Sequence, residues 1–307
     1  MSLPDSLRAL GVEFSLDAPM SRHGFWRIGG PADVLVVVTD TRQLAGIMAL
    51  GQPVTVVGNG SNLLVADAGI RGIVVKLKGD FLTSELDGDS VMVCGAGLLN
   101  TVLLNRLKKS GLGGLGCLAG IPGTVGGAVV MNAGWRLGEI CQQVVKAELV
   151  LAGGQVVTVT AEDLGFVYRR ASGLPVGSVV SRVWLTVSSG ETVDEESKAV
   201  SHWLGRRKAT QPLNMPSCGS VFKNPEGDYA GRLIETSGLK GHKIGGAQIS
   251  ELHANFIVNL GGATAADVAA LITLARQTVW TEHGVVLSPE VHAVGDWPSG
   301  PWPAVDA

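Results

Sequence analysis

The chain is 307 residues long, with 46% hydrophobic residues, 17% charged residues and a formal net charge of −3. That length suits two domains of ~150 residues with a sizeable core, and the composition excludes a disordered chain. The slightly acidic balance excludes a general nucleic-acid surface, and no run approaches the ~18 apolar residues of a membrane span.

The N-terminus, Met-Ser-Leu-Pro-Asp, has no basic segment followed by an apolar one, so no signal peptide is expected. Residues 34–38 read as a strand and 41–50 as a short helix. Residues 54–57 form a strand running into Gly58-Asn59-Gly60, and 72–77 and 91–94 are further strands. Residues 98–109 predict a helix with Lys108 and Lys109 in its last turn and Gly111 beyond it. Residues 144–151 and 155–160 flank Gly153-Gly154, a hairpin signal, and 179–187 is another strand. A polar stretch at 188–191 places a domain boundary near Gly190, giving domains at 1–190, split near 70, and 191–307. Residues 194–207 read as helix, and the run Gln211-Pro212-Leu213-Asn214-Met215-Pro216 breaks the pattern. The last helix starts at the cap Thr264, with Val268, Leu271, Ile272, Ala275 and Val279 as its apolar stripe and Gly284 as its stop. Residues 285–287 read as a strand, and Trp297-Pro298 to Trp302-Pro303 as a tail. Such alternation argues α+β or α/β.

The four cysteines, Cys94, Cys117, Cys141 and Cys218, form no CxxC and the six histidines have no ligand spacing, so no metal site or disulfide framework is expected. A reducing cytoplasm fits that usage.

Glycine is the outlier, with 43 residues, twice the usual ~7%. Two segments concentrate it. In the first, Val57-Gly58-Asn59-Gly60-Ser61-Asn62, a buried strand enters a turn of small residues. Its successive N–H groups can form an anion-binding nest. In the second, Ala119-Gly120-Ile121-Pro122-Gly123-Thr124-Val125-Gly126-Gly127, four glycines surround a stiff proline. Neither is a P-loop, since no Gly-Lys-Ser/Thr follows, and neither completes GxGxxG, because Leu63 stands at the third glycine position. A pair of tight turns and a pyrophosphate cradle are equal readings of these residues. A dinucleotide cofactor and a sugar nucleotide also remain open.

Several longer segments carry a family resemblance. Residues 56–67 and 120–134 resemble the flavin-binding loops of the UDP-N-acetylenolpyruvoylglucosamine reductases. The likeness continues through Arg27-Ile28-Gly29-Gly30-Pro31-Ala32-Asp33, Tyr168-Arg169 with Ser172, and Gly219-Ser220-Val221-Phe222-Lys223-Asn224-Pro225. It extends through 230–235, 238–241 and 253–259 to Pro289-Glu290-Val291. The resemblance implies an α+β protein with a vanillyl-alcohol-oxidase-like, PCMH-type FAD-binding fold of two α/β subdomains. A C-terminal α+β domain would cover the substrate. It implies noncovalent FAD, reduced by NADPH, and reduction of UDP-N-acetylglucosamine enolpyruvate to UDP-N-acetylmuramate in peptidoglycan precursor synthesis. The implied protein is a cytoplasmic monomer with small-molecule partners, no nucleic acid and no membrane. Its length and lack of a large insertion resemble the shorter family subtype. A flavin oxidase of the same fold and a flavin-binding protein without chemistry are the competing readings. The first glycine loop lacks the histidine that links FAD covalently in many such oxidases.

Reducing an enol ether conjugated to a carboxylate builds negative charge on the α-carbon and the carboxylate. A cation fitted to that carboxylate and one positioned proton donor are needed. By resemblance Arg169 faces the carboxylate, Ser220 delivers the proton and Glu290 is the closing acid, with its pKa raised by the substrate carboxylate. The Tyr168-Arg169 pair selects Arg169, whereas counting back two residues from Ser172 selects Arg170. The cofactor set is Val57, Gly58, Asn59, Gly60, Ser61, Asn62, Ala119, Gly120, Ile121, Pro122, Gly123, Thr124, Gly126 and Gly127. Tyr168, Lys223 and Asn224 are the substrate set, with Lys208 a second diphosphate candidate. Taken without the resemblance, Ser220 is a turn serine, Glu290 a strand-end glutamate and Asn224 a turn closer. Cys218 and His253 are read as structural.

Overall fold

The computed structural model describes residues 2–298 and 300–302. Its backbone contacts divide into two compact units. The first comprises Met1–Leu16, Val34–Asn59 and Gly72–Gly205, the second Asp17–Asp33, Gly60–Arg71 and Arg206–Ala307.

The first unit has two sheets, each with its own core. In one, strands Glu13–Pro19, Pro31–Val38, Ile70–Leu77 and Val54–Val56 lie in that spatial order, and Val54–Val56 runs parallel to Ile70–Leu77. The helix Thr41–Met48 starts where the Asp40 carboxylate accepts the Gln43 N–H at 2.8 Å, which satisfies one orphan donor of the first turn. It buries Leu44, Ile47 and Met48 with Val34, Val36, Val38, Ile73 and Val75.

The other sheet is antiparallel throughout, in the order Val156–Thr160, Val144–Val150, Val179–Thr186, Val91–Gly95, Ser84–Asp87. The expected hairpin forms, with Leu149 opposite Val157. The helices Asn100–Lys109 and Val125–Val130 share its core. The expected helix at 194–207 is longer, Glu191–Thr210, and buries none of its residues. Its one half-buried face mixes Val193, Val200 and Trp203 with Glu196 and Arg207, so apolar spacing does not mark its ends.

The second unit holds a three-stranded antiparallel sheet, Lys243–Ile244, Ala247–Ile249 and Ile257–Asn259, with the helices Ala230–Thr236 and Ala265–His283. Thr264 and Asp267 cap the longer helix reciprocally, and Gly284 ends it at φ 65, the left-handed conformation glycine adopts without steric penalty. All five residues of the predicted stripe are buried.

Two expectations near the end of the chain are corrected. Residues 285–287 are irregular; the strand is His292–Val294, parallel to Leu63–Val65. Pro289 has no N–H for a ladder, and the segment makes one isolated bridge, Phe222 to Pro289. The expected tail packs instead: Trp297 and Trp302 lie against the second unit's core, and the Trp297 Nε1–H donates to the Val294 carbonyl. Ser299 and Pro303 lie outside the described residues.

Candidate functional site

The candidate residues fall into two groups. The first unit carries the start of the first glycine loop, the whole second loop and Tyr168-Arg169. Val57 is buried, and its N–H donates to the Val75 carbonyl at 3.0 Å. The chain then turns so that Lys76 Nζ donates to the Gly58 carbonyl at 2.6 Å. The Asn59 amide donates to the Pro122 carbonyl, tying the first loop to the second. A Cβ on Gly58 would stand 2.7 Å from Thr124 Oγ1, so only glycine permits this approach.

In the second loop, Ala119 is buried and Gly120 has φ 75. The Ile121 N–H donates to the Leu118 carbonyl. Thr124 caps the short helix by accepting the Gly127 N–H. The Gly126 N–H donates to the Ala96 carbonyl, and a Cβ there would meet Ala96 Cβ at 2.8 Å. Gly126 and Gly127 therefore spend their N–H groups inside the protein. Among the described residues, the N–H groups of Gly58, Asn59 and Gly123 make no hydrogen bond within it. Asn100, fully buried, donates to the Ile121 carbonyl and receives none at Oδ1. Donors without partners and one orphaned buried acceptor beside two glycine loops fit a ligand rich in phosphate and hydroxyl oxygens, as FAD is.

Tyr168 and Arg169 form the turn between paired Val167 and Arg170. Arg169 has φ 58, a conformation rare for an L side chain. Its guanidinium lies 3.0 Å from Glu139 Oε1 and over the Tyr168 ring. Glu139 Oε2 accepts from Asn132 Nδ2, which also donates to the Val167 carbonyl. Asn132 is 1% exposed at φ 42. Arg170 is exposed, and the Ser172 hydroxyl donates to the Gly165 carbonyl, closing the hairpin.

The second unit carries Gly60, Ser61, Asn62, Ser220, Lys223, Asn224 and Glu290. Ser220, half-buried, follows Gly219 at φ 76. The segment after it runs antiparallel to 288–291: Lys223 N–H donates to the Ser288 carbonyl and Glu290 N–H to the Val221 carbonyl at 2.7 Å. Asn62 Nδ2 donates to the Glu290 carbonyl at 3.0 Å. Thus Ser220, Glu290 and the end of the first glycine loop converge. Asn224 is exposed, and its Oδ1 accepts the Ala230 N–H, a turn-closing bond; Lys223 is half-buried and Lys208 exposed. Cys218 is buried with its thiol toward the Gly60 and Leu63 carbonyls, and burial pushes it up to about 12. It is protonated and unreactive near neutrality. Burial also lowers the His253 pKa, and its Nδ1 accepts the Asn255 N–H, a structural role.

Sequence reasoning missed four residues. Asn255, 4% exposed, brackets Phe222 by accepting its N–H and donating to its carbonyl, both at 2.9 Å. Glu139, Asn132 and Lys76 each touch a candidate segment from far along the chain. Only Gly134 and Gly138, which bracket the tight turn before Glu139, left a signal. The four cysteines are free, and the described residues hold no metal-binding group of His, Cys, Asp or Glu. Among them no helix is long and apolar enough to cross a membrane.

The model of an FAD binding domain matches residues 32–160, and that of the UDP-N-acetylenolpyruvoylglucosamine reductase C-terminal domain matches 211–294. A UDP-N-acetylenolpyruvoylglucosamine reductase of Anaeromyxobacter sp. (strain Fw109-5) is 47% identical over 294 residues, 94% of this chain and 91% of the relative. The crystal structure of such a reductase from Thermus caldophilus aligns with a TM-score of 0.80 at 40% identity, over 92% of this chain and 98% of that one. A berberine bridge enzyme variant, at 14% identity and a TM-score of 0.50 over 69% of this chain and 50% of its own, shares the fold alone. The fold is α+β, of the PCMH-type FAD-binding class.

Proposed function

We propose, from the premise that this chain belongs to the family of UDP-N-acetylenolpyruvoylglucosamine reductases, that Arg169, Ser220 and Glu290 carry its reaction. The protein is an NADPH-dependent flavin oxidoreductase of peptidoglycan synthesis, and it converts UDP-N-acetylglucosamine enolpyruvate to UDP-N-acetylmuramate. FAD, which the two glycine loops would hold, would supply the redox chemistry, with NADPH as reductant.

The protein's own residues handle charge and proton. Arg169 offers its planar fork to the substrate carboxylate, where charge accumulates. Ser220 Oγ gives its proton to the α-carbon. Glu290, protonated beside the substrate carboxylate, donates a hydrogen bond to the developing enolate. Tyr168, Lys223 and Asn224 bind the UDP-sugar. Residues 57–62, 119–124, Gly126 and Gly127 cradle FAD noncovalently, within an FAD-binding domain at 1–190, and 191–307 forms the substrate domain. The protein acts as a cytoplasmic monomer.

The observation that carries this reading is the meeting of Ser220-Val221, Glu290 and Asn62, held by the Glu290 N–H to Val221 and Asn62 to Glu290 bonds. It puts the proposed donor and acid beside a proposed cofactor loop. The test is anaerobic. NADPH should bleach the yellow protein, and UDP-N-acetylglucosamine enolpyruvate should restore its colour without oxygen. Recolouring by oxygen alone would favour the oxidase reading, and failure to bleach would favour a protein without chemistry.

A further inference from the structure

The structure assigns Lys76 to the FAD diphosphate: its ammonium, steadied on the Gly58 carbonyl, is the cation that the first glycine loop presents to the cofactor. This rests on FAD occupying the two glycine loops. Lys76 lies near the end of the strand Ile70–Leu77, half-buried, and donates one hydrogen bond, to Gly58, at 2.6 Å. An ammonium has three donors, and no carboxylate pairs with this one among the described residues. The neighbours that Gly58 and Asn59 gather, Pro122 and Thr124, are uncharged. Among the described residues, Lys78 is the charge acting on Lys76, and it repels.

A lysine withdrawn from water without an anion costs free energy, and its position states which anion compensates. At the same turn the N–H groups of Gly58 and Asn59 have no partner among the described residues. In oxidised FAD near neutral pH, the diphosphate is the anionic group. A dianion on the loop would meet two backbone donors and one ammonium, a charge-assisted set stronger than N–H groups alone.

The physical consequence is coupling between FAD and a proton. Burial and Lys78 lower the Lys76 pKa to about 8. Above that pH the flavin-free loop holds neutral lysine, and binding the diphosphate requires a proton to be taken up. FAD affinity should therefore fall as pH rises.

The test measures FAD released on serial dilution of the holoenzyme, by the fluorescence of the free flavin, from pH 7 to pH 9. The wild-type Kd should rise about tenfold over that interval. Lys76→Gln still donates to Gly58 but carries no charge; it should weaken binding about tenfold at pH 7 and flatten the pH dependence. Lys76→Arg, charged throughout, should also flatten it while binding more tightly than Lys76→Gln. A Lys76→Gln protein with wild-type Kd and wild-type pH slope overturns the assignment. So does an unchanged Kd with a shifted flavin reduction potential, which would put the ammonium at the isoalloxazine ring.

Discussion

The Arg169 guanidinium is held 3.0 Å from the Glu139 carboxylate, and the same carboxylate is held by Asn132. Both Arg169 and Asn132 have positive φ, a strain retained where surrounding contacts over-determine the backbone. The turn therefore aims one particular guanidinium in one particular direction. Arg170, next in the chain, is an exposed strand residue.

That contrast makes the two arginines separable. Arg169→Lys keeps the charge but loses the fork, so turnover should fall about a hundredfold with FAD content unchanged. Arg170→Ala should stay near wild type. Glu139→Ala, which removes the carboxylate facing the guanidinium, should lower kcat/KM about tenfold. Steady-state kinetics on flavin-replete protein measures all three. A crippled Arg170→Ala beside a mild Arg169→Ala would reverse the assignment.

Ser220→Ala separates the half-reactions. Bleaching by NADPH delivers no proton to carbon and should be nearly intact, while recolouring by substrate should slow ~10²-fold or more. Stopped-flow absorbance of the flavin resolves the two. Equal slowing of both would return Ser220 to the role of a turn residue.

Gly58→Ala should force the two glycine loops apart, because its Cβ would lie 2.7 Å from Thr124 Oγ1. Overpacking of this kind costs about 1–3 kcal/mol, and the protein should purify with little FAD. Adding Thr124→Ala removes the clash and should restore part of the flavin content, despite loss of the cap on Gly127. Substitutions at Gly126 are less informative, since a Cβ there meets Ala96 whether or not FAD is near. Flavin-to-protein absorbance ratios decide the matter; full occupancy in Gly58→Ala would remove the close approach from the argument.

Lys76 also predicts how stability responds to pH in the flavin-free chain. Its folded pKa, about 8, lies below the ordinary 10.5. Between these values the unfolded chain holds the proton and the folded chain does not, so stability rises with pH. The contribution of Lys76 from pH 8 to pH 9 should be about 1 kcal/mol, read as the difference between wild type and Lys76→Met. The thiols of Cys94, Cys117 and Cys218, each pushed up to about 12 by burial, act in the opposite sense from about pH 8 upward, equally in wild type and variant. The urea midpoint of wild type should move upward relative to that of Lys76→Met between pH 8 and pH 9, and the opposite relative shift would reverse the sign.

What the sequence determined by itself was local. Thr264, the 268–279 stripe and Gly284 specify a capped helix because caps, 3.6-residue spacing and a left-handed stop act within a few residues. The hairpin around Gly153-Gly154 is legible for the same reason. The glycine loops and the Tyr168-Arg169, Ser220 and Glu290 segments were visible as family patterns, although residue chemistry alone left turns and cradles equal. Tertiary structure decided what depends on distant partners. Residues 285–287 look like a strand, but pairing falls to His292–Val294, which has Leu63–Val65 beside it. The difference between ion-paired Arg169 and exposed Arg170 comes from Glu139, thirty residues earlier. Lys76 reads as an ordinary strand lysine until Gly58, eighteen residues before it, is folded against its ammonium. A hydrogen bond between residues far apart in the chain leaves no periodicity in either segment, so only the folded chain reveals it.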